Sequence, residues 1–273
     1  MTTAWEPLIL TVAPNGAYKT HQDHPRVPLS AAELGETAKS CLRAGASMIH
    51  LHVRDAAGRH LLDATAYREA TAAIRKAVGD ELVIQITSEA ARLYTPDVQM
   101  AVIREVRPEA VSVAIRELVP DAASEAVAAP FFEWLHQEGI MTQFILYSAD
   151  ELGRYQALRQ RGVLPPARDF LLFVLGRYSA EQQSDPRDLL PFLQTLSNPA
   201  PWAVCAFGTR ESACLTAATA LSGHARTGFE NNLHLPDGSL ARGNDQLVAI
   251  AAENAIRLGR PLAQARQIRA LFS

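Results

Sequence analysis

Two histidines and a distant glutamate have the residue types and spacing of a metal site. His50 and His52 are separated by one apolar residue, so in a strand both side chains point to the same face, about 6.6 Å apart along it. Glu230 lies in a second segment, residues 224–232, where it has the same parity as Arg226. Two imidazoles and a carboxylate with an open fourth position are typical of catalytic zinc, and iron or manganese use the same donors.

Structural roles would explain the same residues. A core histidine with a hydrogen-bonded neighbour also produces a His-x-His pattern, and Arg226 with Glu230 can form a structural ion pair. A buried carboxylate or guanidinium is costly unless it is paired. The spacing alone therefore leaves both the metal site and the ion pair open.

The segments that must position these residues alternate between strand-like and helix-like patterns. Eight short apolar runs, mostly rich in β-branched or aromatic residues, are separated by amphipathic stretches. Ser30 with Glu33 predicts a helical capping box, and Gly45 suits the end of that helix. Eight strand–helix units in 273 residues predict an α/β fold, a (β/α)8 TIM barrel forming a single domain over residues 1–273. The runs are residues 8–14, 48–53, 82–87, 110–115, 141–147, 169–175, 202–207 and 224–230.

A doubly wound sheet is the alternative arrangement of these elements. The segment after the first run, residues 14–17, has one glycine and lacks the GxGxxG pattern of a nucleotide loop. In a barrel, the second and eighth strands both neighbour the first, and active sites lie at the carboxyl ends of the strands. We therefore expect His50, His52 and Glu230 to meet at that mouth.

Other polar residues fall at predicted strand ends and are candidates for binding substrate. Arg116 is assigned to the inward face of the fourth strand. A charged group there needs a partner, which would be either substrate or a nearby acid such as Glu117. The inward polar candidates are Thr11, Asn15, Gln85, Thr87, Ser112 and Arg116, and Ser88 and Glu89 lie just beyond the third strand.

Composition predicts an ordinary cytoplasmic globular protein, with 48% hydrophobic and 20% charged residues and a net charge of −3. Lysines and arginines are scattered, which argues against nucleic-acid binding, and no apolar run approaches the ~20 residues of a membrane span. The amino terminus has no basic region ahead of its apolar stretch, so a signal peptide is not expected. Three cysteines are too few for a disulfide framework.

Several motifs together resemble the β-keto acid cleavage enzymes. The resemblance extends over nearly the whole chain and includes EPLILTVAPNGA, AGASMIHLHVRD, the QITS turn and GHARTGFENN. HLHVRD combined with G-H-x-R-x-G-x-E-[DN]-N is highly specific. The resemblance implies a zinc-dependent TIM barrel, typically a homotetramer. Such an enzyme condenses a β-keto acid with acetyl-CoA and releases acetoacetate and a new acyl-CoA.

Carried over residue by residue, the resemblance implies that His50, His52 and Glu230 hold the zinc ion. It places Arg226 in the proton-abstracting unit, and Thr87 stands where described members have a catalytic serine. Zinc would chelate the keto acid and act as a Lewis acid. Because a guanidinium keeps its proton, we expect Arg226 to act through charge and position.

Three positions depart from the family pattern. Asn231 replaces an aspartate, and since an amide cannot accept a proton, the base unit is incomplete unless a substrate group, a water or another carboxylate completes it. Tyr18 and Ile145 replace two glutamates that grip an ammonium group. With Arg116 nearby, these changes predict a β-keto acid with a neutral or anionic side chain, and make Tyr18 and Arg116 the specificity residues.

Two other functions stay open from the sequence. A zinc hydrolase of the amidohydrolase kind carries His-x-His on its first strand and further histidines on strands five and six. Here the motif is in the second run, and runs five and six contain no histidine. A non-catalytic barrel that binds a metal or a metabolite is compatible with the residues, and Asn231 favours it mildly.

Overall fold

Eight parallel strands close into a barrel in the computed structural model, which describes residues 5–197 and 200–273. We number them β1 to β8 in chain order; each pairs with the next, and β8 pairs with β1. The predicted (β/α)8 barrel is confirmed, and each strand falls inside the run expected for it. The strands are Leu10–Val12, Met48–Leu51, Val83–Thr87, Ala110–Ala114, Met141–Leu146, Phe170–Leu175, Trp202–Ala206 and His224–Thr227.

Helices surround the barrel, and the first of them begins as its sequence predicts. The Ser30 hydroxyl accepts a hydrogen bond from the Glu33 N–H, and the Glu33 carboxylate accepts one from the Ser30 N–H. None of the described helices combines the length and apolar character that a membrane span needs. The helices, α1 to α10, are Ala31–Ala44, Ala64–Val78, Pro96–Val106, Ile115–Leu118, Glu125–Gln137, Ala149–Gln160, Leu190–Thr195, Glu211–Ala220, Asn244–Arg257 and Ala265–Phe272, with 3-10 turns at Ala180–Gln182 and Pro186–Leu189.

Apolar side chains fill the amino-terminal end of the barrel. Met48 and Phe170 belong to one buried cluster with Ile268 of α10, and the rings of Phe170 and Phe272 lie 5.3 Å apart. The outward residues Ile49 and Leu51 belong to the larger cluster between strands and helices. The apolar floor leaves the carboxyl-terminal mouth to the polar residues.

Most strands end before the apolar runs do, and two of these early ends change where site residues lie. β4 stops at Ala114, where α4 begins, and β8 stops at Thr227 rather than continuing to residue 230. Gly228 follows β8 with φ +134°, and a Cβ there would lie 2.4 Å from the Ala13 carbonyl oxygen. The strand therefore turns at Gly228, and Glu230 is presented from a tight turn that hydrogen-bonds to the end of β1 through the Ala13 carbonyl.

Candidate active site

His50, His52 and Glu230 come together at the mouth of the barrel. The Nε2 atoms of the two histidines are 3.2 Å apart, and the Glu230 Oε2 atom lies 3.6 Å from His50 Nε2 and 3.5 Å from His52 Nε2. Donors bound to one tetrahedral zinc at about 2.0 Å stand about 3.3 Å from one another. The three residues therefore have the spacing of a metal centre. His50 and His52 share one side of the chain as their parity predicts, whereas Glu230 reaches the site from the turn after β8.

The loop after β1 positions Glu230. Gly16 has φ +64°, and a Cβ on it would lie 2.5 Å from Glu230 Cγ, so only glycine leaves room for that side chain. Lys19 Nζ donates a hydrogen bond to the Glu230 carbonyl oxygen at 2.7 Å. The loops after β1 and β8 thus hold each other, which limits the movement of the carboxylate.

The charges at this cluster suit a cation. Burial, together with the nearby Arg226 charge, lowers the pKa of His50 to about 3, so its imidazole is neutral. Burial alone would raise the pKa of Glu230, but the Arg226 guanidinium, 2.6 Å from its Oε1, and the histidines hold that pKa well below its usual range. Glu230 Oε2 is buried with no hydrogen-bond donor among the described residues. A neutral imidazole and an ionised, unsatisfied carboxylate oxygen are the states that a metal ion requires.

Two glutamines orient His50 from behind. His50 Nδ1 is 2.8 Å from Gln85 Oε1, and Gln85 Nε2 donates to Gln143 Oε1 at 3.3 Å. An amide oxygen accepts only, so this contact requires the proton on Nδ1 and leaves the Nε2 lone pair facing Glu230. The glutamine pair therefore selects the tautomer that binds a metal.

Replacing Gln85 with leucine is expected to weaken zinc binding about 10- to 100-fold, because the orientation of His50 is no longer enforced. Competition with a chromophoric chelator measures this affinity. Gln137→Leu, the same change on an exposed face of α5, is the control and should bind zinc like the wild type. Equal affinities in all three proteins would contradict the orienting role of Gln85.

A cavity of about 450 Å³ opens beside the three residues. This volume suits a small-molecule site. Side chains of both charges form part of its wall, which distinguishes it from a purely apolar pocket. The charged lining residues are Lys19, Asp23, Glu89, Glu117, Arg177, Arg226 and Glu230.

The residues predicted to bind substrate or to act in catalysis divide into two groups. Asn15, Tyr18, Thr87 and Ser88 line the cavity, as does Ile145. Ser112, Arg116 and Asn231 are not among the described residues that line it.

Several of these side chains are already engaged with the protein. Asn15 Nδ2 donates to the carbonyl oxygens of Pro28 and His52, and Asn15 Oδ1 accepts from the His52 N–H. Ser88 donates its hydroxyl to the Ser112 carbonyl oxygen at 2.8 Å. Asn15 therefore positions His52, and the Ser88 hydroxyl ties the end of β3 to β4.

Arg116 does not project inward from β4 as the sequence pattern predicts. The chain enters α4 at Ile115, so helical rotation replaces the alternation of a strand and Glu117 takes the place in the cavity wall. The Arg116 Nε atom donates to Glu151 Oε1 at 2.6 Å, and its guanidinium lies 4.3 Å from the Tyr147 ring centroid. Its charge is thus committed to an acid at the start of α6.

Arg177 and Lys19 are cavity cations that the sequence reasoning missed. The Arg177 guanidinium lies 5.4 Å from the Tyr18 ring centroid and 5.2 Å from that of Phe207. It forms no ion pair with a carboxylate of the described residues. Its position directly after Gly176, at the carboxyl end of β6, is the sequence signal that could have identified it.

A buried acid supports the loop that carries Glu230. Glu211, the first residue of α8, is 2% exposed and accepts a hydrogen bond from Asn232 Nδ2 at 3.2 Å. Burial raises the pKa of Glu211 to about 8. Its carboxyl group is therefore largely protonated in the folded protein at neutral pH.

This raised pKa predicts a pH-dependent stability. Above pH 4.5 the unfolded chain releases the Glu211 proton while the folded chain retains it up to about pH 8. The free energy of unfolding should therefore fall as the pH rises across this window, by up to about 1.4 kcal/mol per unit. Urea denaturation at about pH 6 and about pH 8 gives the change in the free energy of unfolding with pH, and this change should be larger for the wild type than for Glu211→Gln. If the free energy of unfolding changes equally with pH in both proteins, the raised pKa does not belong to Glu211.

Comparison with known proteins identifies the family. The protein-family model described as beta-keto acid cleavage enzyme matches residues 7–273. The chain belongs to the beta-keto acid cleavage enzyme family. The resemblance found in the sequence motifs is therefore confirmed, and the clustered histidines and glutamate lie in an enzyme of this family.

The relatives of this chain are named for different substrates. The chain is 28% identical to a 3-keto-5-aminohexanoate cleavage enzyme from Fusobacterium nucleatum, covering 97% of this chain and 98% of the relative. It is 26% identical to a 3-oxoadipate:acetyl-CoA acetyltransferase from Cupriavidus necator, covering 98% and 95%. A 3-dehydrocarnitine:acetyl-CoA trimethylamine transferase from Rhizobium meliloti is 24% identical, covering 96% and 95%.

Solved structures share the barrel. The binary complex of ObcA with oxaloacetate superposes with a TM-score of 0.72 at 16% identity, covering 91% of this chain and 67% of that one. A 3-dehydroquinate dehydratase from Geobacillus kaustophilus gives 0.58 at 14% identity, covering 93% and 91%. At these identities the likeness concerns the fold alone.

Proposed function

We propose that this enzyme condenses a β-keto acid with acetyl-CoA and cleaves the adduct into acetoacetate and a new acyl-CoA. The observation that carries the proposal is the cluster of His50, His52 and Glu230, of which His50 and Glu230 line a cavity large enough for a keto acid. Family membership and the acetyl-CoA named for the Cupriavidus necator relative support it. By resemblance to the family, we also propose a homotetramer, which light scattering of the purified protein would test.

Zinc is the proposed metal, held by His50, His52 and Glu230, and another divalent ion would meet the same donors. When bound, it supplies Lewis-acid polarisation of the keto acid. Arg226 is buried in the cavity wall and paired with Glu230. We propose that its guanidinium stabilises negative charge that develops on the substrate.

Thr87 and Asn231, the two catalytic positions that depart from the family pattern, have different surroundings. The Thr87 hydroxyl accepts a hydrogen bond from the Glu89 N–H at 3.0 Å, which supports a role in positioning Glu89. Asn231 is buried, and neither polar atom of its side chain has a partner among the described residues. We propose that Asn231 keeps this space uncharged beside Glu230.

Replacing Asn231 with aspartate is therefore expected to lower acetyl-CoA-dependent turnover roughly ten-fold, equivalent to ~1.4 kcal/mol. The new carboxylate would add a buried negative charge next to the metal-binding Glu230. Steady-state kinetics with a saturating β-keto acid measure the change. An increase in turnover would instead show that this position lacks a base that the reaction needs.

The proposed substrate carries a neutral or anionic side chain. Ile145 and Tyr18 offer no negative charge to a cationic tail, and Arg177 lies over the Tyr18 ring. A guanidinium can bind a carboxylate through two charge-assisted hydrogen bonds. Arg116, which the sequence suggested for this role, is paired with Glu151. We therefore assign recognition of the tail to Arg177 and Tyr18.

A matched set of cationic, neutral and anionic β-keto acids, assayed for acetyl-CoA consumption, tests the function and the charge preference together. Arg177→Met should reduce kcat/KM for the anionic substrate at least about ten-fold more than for the neutral one. Arg116→Met is the comparison and should keep the wild-type preference. Preference for the cationic substrate would contradict the charge argument. No turnover of any keto acid would favour the non-catalytic binding barrel.

A further inference from the structure

We propose that Glu89 is the carboxylate that removes the proton from C2 of the β-keto acid. This inference rests on the proposed function, because C2 must lose a proton before it can form a bond to the acetyl carbon. The geometry points to Glu89 because the other carboxylates of the cavity wall are already engaged.

Three of the four cavity carboxylates accept hydrogen bonds within the protein, and Glu230 and Glu117 are the first two. Glu230 Oε1 accepts a hydrogen bond from Arg226 at 2.6 Å, and its Oε2 faces the two histidines. Glu117 Oε2 accepts from the Ala90 N–H at 3.0 Å and from Gln99 Nε2 at 2.7 Å. Each of these contacts would have to weaken before the carboxylate could take up a proton.

The third carboxylate is Asp23, whose Oδ2 accepts from the Thr20 N–H at 2.7 Å on an exposed loop. Glu89 differs from all three, because its carboxylate accepts no hydrogen bond from the described residues. Its Oε2 lies 3.8 Å from His52 Nε2, and its side chain is 24% exposed. The carboxylate thus lies in the cavity wall, close to the cluster of His50, His52 and Glu230.

The backbone of Glu89 is fixed on both sides. Its N–H donates to Thr87 Oγ1 at 3.0 Å, and its carbonyl oxygen accepts from His60 Nε2 at 2.8 Å. Ala91 and Arg92 follow with φ of 47° and 61°, so the chain turns away directly after Glu89. A base presented from a fixed turn needs little rearrangement to reach its proton. Thr87 and His60 are therefore positioning residues for Glu89.

The proton balance of the reaction closes on this residue. The C2–H bond breaks, the proton moves to the Glu89 carboxylate, and the electron pair stays on the keto acid. C2 then bonds to the acetyl carbonyl carbon and the CoA thiolate leaves. The thiolate adds to the original keto carbon, and the bond between that carbon and C2 breaks. C2 recovers the proton from Glu89, which yields acetoacetate and the new acyl-CoA without any further reactant.

Glu89→Gln in the zinc-loaded enzyme tests the proposal. Loss of a general base costs about 10²- to 10⁴-fold, so we expect kcat to fall at least about 100-fold while zinc content and melting temperature stay at wild-type values. In D2O without acetyl-CoA, the variant should lose the enzyme-dependent incorporation of deuterium at C2, measured by NMR above the spontaneous rate. Glu89→Asp, which keeps a carboxylate, should recover part of this exchange.

Glu117→Gln is the matched comparison, since it makes the same chemical change in the same cavity at a carboxylate that is already hydrogen-bonded. We expect a loss less than about one tenth of that in Glu89→Gln. Equal losses in the two variants, unchanged exchange in Glu89→Gln, or a fall in its zinc content would each overturn the proposal. A wild-type enzyme that consumes no acetyl-CoA with any keto acid would contradict the proposed function instead.

Discussion

His52→Ala is expected to abolish stable zinc binding and to reduce acetyl-CoA-dependent turnover at least about 1000-fold, because a three-donor site loses one of its ligands. The His52 side chain is fully buried, and its Nε2 lies 3.5 Å from Glu230 Oε2. Because the position is buried, a solvent-exposed side chain cannot take the place of the lost imidazole. Metal analysis of purified wild type and variant measures the first effect, and steady-state kinetics the second. His136→Ala, on the exposed side of α5, is the control.

The same variant separates metal binding from folding. Zinc that binds the folded state raises its stability in proportion to the logarithm of free zinc over Kd. Added zinc should therefore raise the melting temperature of the wild type and of His136→Ala, and should leave that of His52→Ala unchanged. Full retention of zinc by His52→Ala would reject the three-residue site.

Arg226→Met is expected to lower both turnover and stability. The Arg226 side chain is 5% exposed and donates to Glu230 Oε1 at 2.6 Å. Without it, the Glu230 carboxylate stays buried with less compensation, and removing one partner of such a pair costs about 3–5 kcal/mol. We expect turnover to fall at least about 100-fold, together with a lower free energy of unfolding in urea.

Arg226→Lys distinguishes charge from geometry. Lysine keeps the positive charge but lacks the planar guanidinium, so we expect most of the stability to return while turnover stays about ten-fold or more below wild type. Arg257→Lys, at an exposed position of α9, is the control for the substitution itself. Wild-type turnover in Arg226→Lys would show that the site needs only a charge there.

Much of this protein follows from local sequence patterns. The period of two in each apolar run predicts which side chains face the barrel axis, and the same period puts His50, in β2, and His52, directly after it, on one side of the chain. The Ser30 capping box and Gly45 mark helix boundaries through contacts within a few residues. Eight such units leave a closed barrel as the arrangement that buries every strand.

Only the tertiary structure decided which charged groups are free to act. Arg116 pairs with Glu151, 35 residues away. Among the described residues, Arg177 forms no ion pair with a carboxylate, and the only charged-pair contact of Glu89 is with His52. Sequence patterns cannot show this, because they carry no information about contacts between distant segments. A strand that ends one or two residues early also redirects every following side chain, as it does for Arg116 after Ala114. The local pattern therefore determined the barrel frame and the shared side of His50 and His52, and long-range pairing determined which cavity residues remain available for chemistry.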